Sequence, residues 1–174
     1  MPVSRKIRIL TLGAAVALAA PVVAAAPALA KDGDKFGDWT VGCPQPPQGA
    51  AKPTTNTCRL MQIEQVKAPD GKQVTVLKAS FFHLGEKDLV MFGYLPLGYA
   101  IPAGVRVSVD GGKEYTLVPQ RCIPQGCEVA TKVEPELLAA LKKGNNAKIE
   151  FQLGDRNATV AVSLKGLSEG LTKF

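Results

Sequence analysis

From residue 31 onward, apolar side chains recur mostly at every second position, the spacing of strands with one buried face. Residues 36–43 predict a short first strand. Residues 58–66 predict a second, whose apolar face switches between Leu60 and Met61, the mark of a bulge. Across residues 74–82 the apolar phase changes: Val74 and Val76 lie on one face, Leu77, Ala79 and Phe81 on the other. Residues 89–95 are apolar on both faces, which predicts a central strand. Val105, Val107 and Val109 alternate with Arg106 and Ser108, and Asp110-Gly111-Gly112 predicts a hairpin turn whose glycines supply positive φ. Tyr115 and Leu117 fall on the return strand, and Cys127, Val129 and Thr131 share a face. Two last strands, carrying Ala147, Ile149, Phe151 and Leu153, then Ala158, Val160, Val162 and Leu164, flank a GDRN turn.

One helix interrupts this pattern, in VEPELLAALKKGNN. Pro135 suits a first helical turn, Glu134 and Glu136 the positive end, and Lys142 and Lys143 the negative end. Leu137, Leu138 and Leu141 form the predicted buried stripe, and Gly144 is expected to stop the helix in a left-handed conformation. The tail LKGLSEGLTKF predicts a turn or short helical cap. Short strands at near-regular spacing with one short helix predict a mainly β fold: an antiparallel, immunoglobulin-like β-sandwich. No internal repeat or second domain is visible.

The first thirty residues change the picture from fold to compartment. MPVSRKIR carries Arg5, Lys6 and Arg8 and no acid, an apolar alanine-rich run follows, and Ala28-Leu29-Ala30 fits a small-x-small cleavage site. Pro21 and Pro27 make this run a poor permanent membrane span. Residues 1–30 therefore read as an export signal peptide, and residues 31–174 as a single exported domain with no transmembrane span. The chain has 21 basic and 15 acidic residues; losing three basic residues with the leader leaves 18 against 15, a net charge of +3. That mild excess does not support nucleic-acid binding.

Four cysteines, Cys43, Cys58, Cys122 and Cys127, all follow the leader, and an even count in an exported chain implies disulfides. Three pairings are open. The local pairs Cys43–Cys58 and Cys122–Cys127 are favoured because each closes a loop rich in turn residues. Loop entropy assigns about 3 kcal/mol to the first and about 2 kcal/mol to the second.

Candidate chemistry adds little. The C-x4-C of RCIPQGC lies in a turn and lacks the helix N-terminus that activates redox C-x-x-C thiols. The cysteine spacings and a lone histidine do not make a zinc set. His83 is the only imidazole for acid–base work, and no serine sits in a G-x-S-x-G or S-x-x-K context. Asp38 beside Trp39 could bind sugar, although a lone Trp is more often packing. Asn157-Ala158-Thr159 matches the glycosylation pattern, which is frequent by chance. These residues assign no catalytic, cofactor-binding or metal site; the four cysteines stand as structural. An envelope thiol-exchange enzyme or a hydrolase is the alternative.

PLGYAIPAGVRVSVDGG followed by RCIPQGC, the opening DWTVGC with a later C-x-L, and the closing VSLKGLSEGL together resemble the invasion-associated locus B family. The resemblance implies an exported bacterial β-sandwich, periplasmic or outer-membrane-associated, with no catalytic motif to carry over. One pathogen member is associated with invasion of red blood cells. The missing catalytic set, the export signal and the disulfides point to a non-enzymatic envelope binding or interaction module, to which the resemblance adds a contribution to host-cell invasion in pathogenic relatives. Its partner would be an envelope or host-surface protein, a lipid or a glycan, met through the 44–57 loop or the 94–104 segment.

Overall fold

The computed structural model describes residues 30–44, 57–85 and 87–173. The rest of the expected leader and the middle of the proline-rich loop lie outside the described residues. The elements run β1 (Lys35–Phe36), β2 (Trp39–Gly42), β3 (Arg59–Lys67), β4 (Gln73–Leu84), β5 (Asp88–Leu95), β6 (Val105–Val109), β7 (Glu114–Ile123), β8 (Gly126–Lys132), α1 (Pro135–Lys143), β9 (Asn146–Leu153), β10 (Arg156–Ser163) and α2 (Leu167–Lys173). A 3-10 turn, Ile101–Ala103, precedes β6.

The strands form one antiparallel sheet in the order β1-β2-β3-β4-β5-β8-β7-β6-β9-β10. β7 joins its two halves. Leu117 pairs with Val105 of β6, whereas Val118 pairs with Ala130 of β8. The register slips between Pro119 and Arg121, and a bulge there bends the strand. Proline suits that position, because it has no N–H to give to a ladder. The inner faces of both halves then share one core, with Leu60, Phe81, Met91 and Val129 from the first half and Val105, Val107, Ile149 and Phe151 from the second. Leu137 and Leu141 of α1 and Leu167 of α2 are buried in the same core.

Several local expectations shift. The first strand is two strands, because Gly37, at φ +56°, turns the chain between Phe36 and Trp39. The bulge in β3 falls between Glu64 and Gln65 rather than after Leu60. Leu60 faces the core and Met61 faces outward in unbroken alternation. In the Asp110-Gly111-Gly112 turn, positive φ is taken by Asp110 and Gly111, not by Gly112. The Asp110 carboxylate accepts the backbone N–H of Asn145 at 2.8 Å and of Asn146 at 2.9 Å, tying this turn to the start of β9. Those bonds hold its pKa below the usual carboxylate range. Gly144 is extended, not left-handed; its lack of a Cβ is needed because one would meet Val109. Leu138 is only half-buried, and the tail forms α2, a second helix.

The far ends of the sheet meet. The indole N–H of Trp39, in β2, donates to the Ser163 carbonyl of β10 at 3.0 Å. Asp38 N–H donates to the Lys165 carbonyl at 3.1 Å, and the Ser163 hydroxyl donates to the Asp38 carboxylate at 2.6 Å. Trp39 is fully buried, its ring 5.3 Å from that of Phe81. Two glycines permit the close backbone approach: a Cβ on Gly166 would lie 2.1 Å from the Phe36 carbonyl oxygen, and one on Gly37 2.4 Å from that of Lys165. Replacing Trp39 by Phe keeps most of the apolar volume but strands a carbonyl, and should cost about 1–3 kcal/mol. Trp39→Ala also leaves a cavity and should cost about 3–5 kcal/mol, both read from urea unfolding.

Candidate functional site

The structure pairs Cys43 with Cys58 and Cys122 with Cys127. Each bridge joins neighbouring antiparallel strands at one end of their ladder: β2 with β3, and β7 with β8 across the Pro124-Gln125 turn. A Cβ on Gly126 would lie 2.5 Å from the Leu95 carbonyl oxygen, so RCIPQGC needs glycine to bring its turn against the end of β5. His83 lies half-buried near the end of β4, opposite Leu89. Ser80 is buried on the same strand as His83, three residues away, so alternation turns the two to opposite faces; Ser108 is buried in β6, and Ser163 belongs to the seam. Trp39 is core, which removes it as a sugar platform. Among the described residues, no group of three or more His, Cys, Asp or Glu is placed to hold a metal ion.

The two outward faces of the sheet differ in character. On the second half, the register lines up Thr116, Arg106, Glu150 and Thr159, a polar row of the kind expected where a sheet meets water. On the first half the outward face is largely apolar. Three of the eight exposed large hydrophobic residues among the described ones, Ile63, Leu84 and Val118, stand on it.

Register arranges this face in three rows. The first runs Phe82–Val90–Lys132. The second runs Met61–Ser80–Phe92–Ala130–Val118. The third runs Ile63–Lys78–Tyr94–Glu128–Arg121. Arg59 reaches from β3 across the first row, its guanidinium carbon 4.6 Å from the Phe82 centroid and 5.3 Å from that of Phe92. Phe82, Phe92 and Tyr94 stack edge to face at 6.1 and 5.2 Å. Ala130 is small, so the face dips along β8 into an open trough of about 760 Å³, with Phe82 and Phe92 on one wall and Val118 and Arg121 on the other.

One carboxylate sits within the three rows. The Glu128 side chain is only 8% exposed, yet Arg121, 69% exposed, donates to it from Nε at 2.8 Å and from Nη2 at 3.1 Å. The Tyr94 hydroxyl donates to it at 2.7 Å. These bonds, Arg121 first, hold the Glu128 pKa below the ordinary glutamate value, and the bond to Glu128 pushes that of Tyr94 up. The bridges flank the same groups: Cys58 precedes Arg59, Arg121 precedes Cys122, and Cys127 precedes Glu128.

This surface is not the one expected from loops. In the 94–104 segment Leu97 and Ile101 are exposed but Tyr99 is buried, and the middle of the 44–57 loop is outside the described residues. The signals for the sheet face were present: residues 89–95 are apolar on both faces, and Phe81 and Phe82 stand side by side.

The family described as Invasion associated locus B (IalB) protein matches residues 39–174. Among solved structures, the crystal structure of invasion associated protein b from Bartonella henselae is similar with a TM-score of 0.64 and 22% identity, covering 80% of this chain and 91% of that one. At that identity the likeness is one of fold. No curated protein matches the sequence.

Because the folded-state pKa of Glu128 is lowered, its stabilising contribution is complete above the unfolded value of about 4.3 and is lost as pH falls through the folded value. Glu128→Gln should therefore lower stability at neutral pH, and the gap should narrow only as pH falls below the unfolded glutamate value and through the lower folded one, in urea titrations at stepped pH. A gap unchanged at low pH would mean that the carboxylate charge is not what holds this corner.

Proposed function

The chain belongs to the Invasion associated locus B (IalB) protein family, and from there we propose that it is an exported, non-enzymatic binding module of the bacterial envelope whose contact surface is the apolar outward face of β3, β4, β5, β8 and β7. The observation that carries this reading is the contrast within one sheet. Two outward faces in the same compartment, built by the same chain, differ in that one is polar and the other aromatic and aliphatic. Stability alone does not call for exposed Leu84 and Val118, so contact with a partner is the economical reason for them.

On this reading residues 1–30 are the cleaved leader, residues 31–174 act as one domain, and the protein works in the periplasm or at the outer membrane. The two disulfides are structural, holding the strand ends that carry Arg59, Arg121 and Glu128. No helix among the described residues is long and apolar enough to cross a membrane. The Bartonella henselae relative is named for invasion; host-cell contact is one setting in which such a surface would serve.

The test compares crosslinked envelope partners of the native protein with those of a Leu84→Asp, Val118→Asp variant. Both positions are exposed, so the fold should survive and the crosslinked species should be lost from the variant alone. Identical species from both proteins would remove the face from the proposal, and none from either would remove the binding role.

A further inference from the structure

Resting on that reading, we propose that the outward face recognises an extended polypeptide segment of a partner protein carrying acidic, apolar and acidic side chains at successive second residues. The rows supply the pattern. Arg59 and Lys132 belong to the first row and Lys78 and Arg121 to the third, so cations bracket a middle row of Met61, Phe92, Ala130 and Val118. Adjacent rows are two residues apart along each strand, about 7 Å, which places the cationic rows about 13 Å apart. An extended chain shows alternate side chains on one side at the same spacing. A ligand lying over β5, beside the trough, therefore sets an apolar group against Phe92 and Ala130, one acid toward Arg59 and the other toward Lys78.

The cations differ in what they have left to give. Arg121 is engaged by Glu128, and Lys132 by Asp88 at 3.0 Å. Arg59 and Lys78 have no carboxylate within salt-bridge distance among the described residues. Arg59 lies over two phenylalanine rings, and with no carboxylate partner among the described residues its guanidinium N–H groups are available to bind a carboxylate. β8 is paired on both sides, by β5 and β7, so recognition is by side chains rather than by adding a strand to the sheet. A sugar would want an open aromatic face; here the rings pack edge to face and Arg59 covers Phe82 and Phe92.

The probe is a fluorescent peptide in which threonine alternates with, in turn, aspartate and leucine. Its counterpart has lysine for aspartate, and vesicles of phosphatidylcholine with phosphatidylglycerol form a separate arm. The acidic peptide should bind by fluorescence anisotropy and the lysine peptide at least about tenfold more weakly. Arg59→Gln with Lys78→Gln should weaken the acidic peptide by about tenfold or more, and Ala130→Trp, which fills the trough, should abolish binding while circular dichroism stays native. The proposal fails if the acidic peptide does not bind, if both peptides bind alike, or if Ala130→Trp binds as well as the native protein. Capture by anionic vesicles in place of the peptide would also overturn it, in favour of a lipid partner. Each of these failures leaves the crosslinking result standing, so loss of the peptide reading is separable from loss of the binding role.

Discussion

A bent sheet of ten strands has two free ends, and this fold depends on bringing them together around Trp39. The indole fills the inner corner between β2 and β4, and its one polar group reaches the Ser163 carbonyl of β10. A buried indole N–H without a partner would cost more than the bond itself contributes, so ring and carbonyl position each other. The approach is so close that Gly37 and Gly166 cannot carry side chains. The seam also explains the glycine spacing of the last block: Gly166 abuts the Phe36 backbone, and a Cβ on Gly170 would press into Leu60. Family-like segments at opposite ends of the sequence are thus two sides of one contact.

Closing the seam on the inner side leaves the outward faces free to diverge. The second half is finished as a water-facing surface, with Arg106 and Glu114 paired at 3.4 Å among polar neighbours. The first half invests in aromatic rings, a stacked arginine and a well-covered glutamate. Glu128 is anchored by Arg121 and Tyr94 from the strands on either side of β8, which fixes the third row before any partner arrives. Such preorganisation lowers the entropy lost on binding. The disulfides hold two different ends of this face, Cys58 beside Arg59 of the first row and Cys122 and Cys127 beside Arg121 and Glu128 of the third.

Much of the fold was legible from alternation alone. Val105, Val107 and Val109, Ile149 and Phe151, and the helix from Pro135 follow rules that act within a few residues. The misplacements are equally local in origin. Met61 is apolar but faces outward, so a rule that sends apolar residues inward invents a bulge after Leu60. Gly144 looks like a left-handed helix stop, yet its reason is the packing of Val109 from a distant strand. The binding face was half legible: double-sided apolarity in residues 89–95 signalled a covered strand, and only the arrangement of neighbours shows that one of its faces lacks a cover among the described residues.

By itself, then, the sequence determined the strand-rich class, the single helix it could see and the likeness to the family, and it favoured the pairing of nearby cysteines, because each depends on short-range periodicity or on linear motifs. Tertiary structure alone decided that β7 carries the sheet from one half to the other, that Trp39 meets Ser163, and that Arg59, Phe82, Phe92, Tyr94, Arg121 and Glu128 share a surface. The physical reason is register. A shift of one residue in any strand pairing would turn those side chains to the other face, and register across five strands is set by how the whole core packs.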